Sequence, residues 1–152
     1  MPPRPSGRSV EQSIAINASP EMVWAVLADV DAWGGWNPIY PQASGSLAPG
    51  AAIALTILLP GMKPQKSTAT VFHAFPGRAV QFGASAFLGL LHATRYIEIY
   101  ASPSGGCTVV NGETFSRLLG RPLVRMVGEK ISNGLQRQND GLKAATESRC
   151  DS

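Results

Sequence analysis

The chain has 152 residues, 44% of them hydrophobic and 15% charged, with a net charge of +3, which is enough for one domain with a sizeable core and too modest a charge to require nucleic acid. Its longest apolar run, Ala51 to Leu59, falls short of the roughly 18 residues of a membrane span, so no stable membrane insertion is expected. Residues 1–8 hold no apolar segment of a secretory signal and are expected to form a disordered leader, followed by a single domain over 9–148 and a short tail at 149–152.

Alternation of Ile14 and Ile16 with Ser13, Ala15 and Asn17 predicts a half-buried first strand from about Val10. Ser19-Pro20 then starts a helix, because a serine hydroxyl accepts from free helical amides and proline at the first helical position needs no donor. Val23, Trp24, Val26, Leu27 and Val30 give that helix one apolar stripe, and an aromatic turn, Trp33-Gly34-Gly35-Trp36-Asn37-Pro38, follows it. The middle reads as a meander. Alternating strands run over 53–59 to Pro60-Gly61 and 68–73 to Pro76-Gly77, with Val80 and Phe82 in a third. A small-residue linker from Gly83 to Gly89 leads to a long hairpin of Leu91 to Ala101 and Cys107 to Phe115 around Pro103-Ser104-Gly105-Gly106. From Pro122, Leu123, Val124, Val127, Ile131, Leu135, Leu142 and Ala145 keep a helical period for about 25 residues, enough to cross a sheet.

This order makes an α+β domain: a strand, a short helical hairpin, further antiparallel strands to a total of six or seven, and a long final helix gripped by the curved sheet. With Ala18-Ser19-Pro20, the Trp33/Trp36-Asn37-Pro38 turn, Gly45-Ser46-Leu47, Pro76-Gly77-Arg78, Asn111-Gly112-Glu113-Thr114-Phe115 and Asn139, residues 10–147 resemble the START-like (SRPBCC) superfamily of polyketide cyclases, plant allergens and lipid-transfer domains, which share a helix-grip fold. The resemblance implies a mainly apolar cavity between sheet and last helix, and a small hydrophobic ligand such as a lipid, quinone, aromatic or polyketide-like compound. Candidate lining residues are Trp36, Tyr40, Phe72, Phe82, Phe87, Tyr96, Glu98, Phe115, Met126 and Leu135.

Parity leaves two readings of strand 91–101 open. If the apolar set Leu91, Ala93, Arg95, Ile97 and Ile99 faces the helix, Arg95 is the odd residue inside; if the other set does, His92, Tyr96 and Glu98 line the cavity. The resemblance, through the family's ligand-facing aromatic matched at Tyr96, implies the second, and this makes His92, with Glu98 or Glu113, the candidate catalytic group of a cyclase or dehydratase. Noncatalytic binding or carriage is the leading function, with that enzyme class as the alternative. Cys107 and Cys150 are too few for a disulfide framework or a thiolate metal site, so no metal, no cofactor and a reducing cytoplasm are expected. Ala84 to Leu91, with glycines at 83 and 89, reads either as a hinged lid over the ligand or as a plain hairpin tip. Seven of the 13 basic residues follow Ser116, giving a solvated helix face or, as a third function class, an interaction module with peripheral contact to an anionic membrane or acidic partner.

Overall fold

A computed structural model describes residues 1–150. Strand β1 (Arg8–Ile16) is followed by helix α1 (Pro20–Ala28), a 3-10 turn over Val30–Gly35, strands β2 (Gln42–Gly45), β3 (Ala52–Ile57), β4 (Gln65–Phe75), β5 (Ala79–Ala86), β6 (Leu91–Ala101) and β7 (Cys107–Ser116), and helix α2 (Gly120–Cys150). The seven strands form one antiparallel sheet in the order β1-β7-β6-β5-β4-β3-β2, which curves around α2. This is the helix-grip fold.

Helix α1 starts where the sequence places it: Met22 N–H donates to Ser19 Oγ at 3.3 Å, with Pro20 in the first turn. Its buried stripe is Val23, Val26 and Leu27, each worth about 1.5–3 kcal/mol on leaving water. The aromatic turn is core. Trp33 donates its indole N–H to Leu27 O at 2.9 Å and stacks on Tyr40 with centroids 5.8 Å apart, and Phe82 packs against both rings. A second apolar cluster of Leu91, Phe115, Ile131 and Leu135 lies under the first half of α2.

Several boundaries differ from the sequence reading. The linker expected at 83–89 is instead strand β5 as far as Ala86, then a tight turn over 87–90. Gly83 to Ala86 pair residue by residue with Ala93 to Leu91 and Thr94 across β6, so the small side chains form ladder rather than loop. Strand β2 was missed, and α2 begins two residues before Pro122. The leader expected to be disordered lies on the convex face: Gln81 Nε2 donates to Pro3 O, and Arg4 reaches Glu98 and Glu11. The expected tail at 149–152 falls partly outside the described residues, and α2 runs on to Cys150.

Candidate functional site

Cross-strand register decides the parity of β6. Arg95 stands opposite Phe82 on β5 and Glu113 on β7, and Ile97 opposite Val80 and Asn111. Phe82 packs on the core rings Trp33 and Tyr40, so this row points at α2 and Arg95 is the charge inside. It is 2% exposed. Its Nε donates to Gly112 O at 3.3 Å, Nη1 to Tyr40 OH at 2.7 Å, and Nη2 to Asn111 Oδ1 and Gln138 Oε1. Asn111 Nδ2 in turn donates to Gln138 Oε1 at 3.0 Å and Asn139 Oδ1 at 3.1 Å, joining β7 to α2.

All these acceptors are neutral. No carboxylate lies within ion-pair distance of Arg95 among the described residues. A buried charge is tolerated only when well hydrogen-bonded, and four of the five guanidinium N–H donors are used here. Burial pushes the Tyr40 hydroxyl up to about 12 against the pull of Arg95, so Tyr40 stays a neutral donor and acceptor. Burial also raises the Glu113 carboxyl above the ordinary range, with Arg95 opposing it. Glu113 therefore holds its proton to higher pH than a surface glutamate.

The expectation that His92, Tyr96 and Glu98 line the space under α2 is corrected: all three leave the convex face. The Tyr96 ring lies across Gly112, where only a glycine leaves room, and its hydroxyl donates to Glu11 Oε1 at 2.7 Å. Glu98 is gripped by Arg4 at 2.7 and 3.2 Å and by Tyr100 OH at 2.8 Å. Burial raises its pKa, but these donors outweigh burial and hold it below the ordinary range. His92 shares a hydrogen bond with Ser85 and stacks on Phe72 on the same outer surface. The catalytic pairs expected of His92 are not assembled, because Glu113 faces the opposite side and Glu98 lies six residues away, about 20 Å along a strand.

Phe72 follows the inward-facing Val71 and so faces outward by strand alternation, 40% exposed, with a bulge shifting the register between Val71 and His73. Phe87 sits 64% exposed at the β5–β6 turn and Met126 80% exposed on the outer side of α2, so neither reaches the interior. Trp36, Tyr40, Phe82, Phe115 and Leu135 lie between sheet and helix. Sequence reasoning missed Gln138 and Arg4 entirely. A glutamine on the apolar stripe of α2, one turn before Leu142, was the available signal for the first.

Two concavities open on the surface. One, of about 320 Å³, lies between Pro38-Ile39, Leu58 to Met62 and Arg137, and Ile39 and Leu59 tie its floor to the core. Gly134 of α2 keeps that wall thin, since a Cβ there would press on Leu59 and Ile39 at 3.0–3.1 Å. The other, of about 630 Å³, is a groove of mixed polarity on β2, β3 and β4 lined by Gln42, Ser44, Leu55, Thr56, Lys66 and Thr68 among others. Trp36 Nε1, Asn37 Nδ2 and Asn139 Nδ2 are buried donors without a partner among the described residues.

The family described as polyketide cyclase / dehydrase and lipid transport matches residues 7–147. The chain belongs to this family. The match makes it a hydrophobic ligand-binding or polyketide cyclase-like domain. No curated protein matches the sequence. Among solved structures, Zhui aromatase/cyclase from Streptomyces sp. R1128 superposes with a TM-score of 0.77 at 16% identity, covering 94% of this chain and 95% of that one. Norcoclaurine synthase from Thalictrum flavum superposes with a TM-score of 0.69 at 13% identity, covering 91% and 85%. The steffimycin-pathway di-domain ARO/CYC StfQ gives 0.75 at 13%, and this chain spans 52% of its length. At such identities the likeness shows the fold alone. No helix among the described residues is long and apolar enough to cross a membrane.

Proposed function

We propose that this family member binds and carries a small, mainly apolar ligand bearing an oxygen function (a lipid, quinone, aromatic or polyketide-like compound) between the concave sheet and α2. The observation that carries the reading is Arg95, a buried guanidinium held only by neutral acceptors. A ligand carbonyl or acidic oxygen is the partner such a charge lacks, and in low dielectric that interaction is strong. Trp36, Tyr40 and Phe82 supply apolar wall, and the opening at Ile39, Leu59 and Arg137 is the route in. Two unpaired thiols, Cys107 buried and Cys150 exposed, fit a reducing compartment such as the cytoplasm.

Native mass spectrometry of freshly purified protein, with identification of whatever is released on denaturation, tests this directly, backed by titration with the anionic apolar dye anilinonaphthalene sulfonate. A stoichiometric apolar compound, or saturable dye binding weakened at least tenfold in Arg95→Met, supports it. An empty protein with no saturable dye binding sinks it.

A second reading, a cyclase or dehydratase, is favoured by one further observation: Glu113 stands opposite Arg95 on the concave face, where burial raises its carboxyl above the ordinary range. Glu113 would give or take a proton while Arg95 and Tyr40 stabilise the oxyanion that forms. Glu113→Gln then loses turnover and keeps dye binding, whereas a carrier is indifferent to it.

A further inference from the structure

The described residues contain three non-glycine residues at positive φ, namely Phe87 at 53°, Leu88 at 57° and Arg117 at 71°. All three lie at one end of the molecule. Gly89 N–H donates to Ala86 O at 3.2 Å, closing a turn with Phe87 and Leu88 as its two central residues, positions where asparagine and glycine are favoured. Leu119 N–H donates to Leu90 O at 2.9 Å and fastens that turn to the β7–α2 connection. Folding gains little from these two side chains, since Leu88 is 104% exposed and Phe87 points to solvent on a strained backbone.

Leu118, also exposed, stands beside them. Around this apolar tip are Arg117, Arg121 and Arg125, all exposed and without an ion-pair partner among the described residues. The N-terminus of α2 points the same way with no acidic residue in its first turn, so the helix dipole adds to the positive field.

We propose that this end is a docking surface for an anionic lipid bilayer, with Phe87 and Leu88 entering the headgroup boundary and the three arginines meeting lipid phosphates. The shape favours a bilayer over a protein. The apolar groups protrude on a tip rather than lining a groove, and a fluid interface accepts protruding side chains where a protein partner would need a matching pocket. The surface stands independently of the ligand reading.

Flotation of the full chain with phosphatidylcholine vesicles, with and without phosphatidylserine, tests it. Binding is expected only with phosphatidylserine and to weaken with salt. Phe87→Asn with Leu88→Gly, which suits the turn and so leaves the fold intact, is expected to weaken partitioning at least tenfold. Arg121→Glu with Arg125→Glu is expected to do the same, since each basic contact changes partitioning about fivefold. No binding, equal binding to both vesicles, or unchanged partitioning of the folded variants overturns the proposal. So does a stable dimer in sedimentation that both sets of substitutions dissolve.

Discussion

The placement of Tyr96 decides which face of β6 meets α2, and Gly112→Ala tests it. A Cβ at Gly112 falls inside the Tyr96 ring, closer than van der Waals contact allows, while the glycine has no positive φ and so accepts alanine by backbone geometry. The ring is buried and its hydroxyl is tied to Glu11, so it moves only by giving up that hydrogen bond and the Arg4 guanidinium 4.9 Å over its centroid. Overpacking costs about 1–3 kcal/mol and a hydrogen bond to a carboxylate contributes a similar amount, so Gly112→Ala is expected to destabilise by about 2–4 kcal/mol. For a domain of this size that lowers Tm by roughly 5–15 °C. In a Tyr96→Ala background the same change has free space and a stiffer strand, and is expected to stabilise by up to about 1 kcal/mol. Calorimetry or urea unfolding of the four proteins closes the cycle. Equal effects of Gly112→Ala in both backgrounds would refute the convex placement of Tyr96 and return it to the cavity.

Other outcomes follow from the same geometry. Phe87→Asn with Leu88→Gly is expected to raise the urea midpoint, because each non-glycine left-handed residue costs about 1–2 kcal/mol; a lower midpoint would mean those side chains pack on the protein. Glu98 has a folded pKa below its unfolded one, so its stabilisation is present above about pH 4 and is lost as pH falls through the folded value. The Tm gap between the native protein and Glu98→Gln is therefore expected to be widest near neutrality and to close as pH falls through the folded value, and a gap that widens in acid would contradict the Arg4–Glu98 pairing. Cys107 is buried with its thiol pKa pushed up by burial, while Cys150 is exposed, so iodoacetamide is expected to label Cys150 in the native state and Cys107 only on unfolding; equal labelling rates would contradict that burial.

The architecture was legible because its signals are local. Ser19-Pro20 caps a helix by its own chemistry, Pro60-Gly61 and Pro76-Gly77 break strands, and the apolar period of α2 runs for about seven turns. The face of β6 was not legible, since period-two parity says which residues share a side but not which side meets the helix. The convex set looked like cavity polarity because Glu98 and Tyr96 carry polar atoms on an apolar strand, and their partners, Arg4 and Glu11, come from 85 or more residues away. Arg95 was seen as the odd residue of the alternative face, yet its acceptors on β7 and α2 could be found only by folding. The β5–β6 turn was read too broadly, as a lid or a hairpin tip, because Phe87 and Leu88 carry none of the composition that such a turn ordinarily shows.

Strand β1 pairs with β7, residues 8–16 against 107–115, while β2 to β7 each pair with a sequence neighbour. The hairpins can thus close as they leave the ribosome, but the first strand waits for about a hundred further residues, roughly 5–20 s at ordinary synthesis rates. Over that interval its apolar row, Val10, Ile14 and Ile16, stays unpaired with only Arg8 and Glu11 to discourage foreign strands. Because α2 is anchored on the same strand through Gln12–Ser132 and Lys143–Ala15, the space between sheet and helix is closed last, by the two ends of the chain meeting.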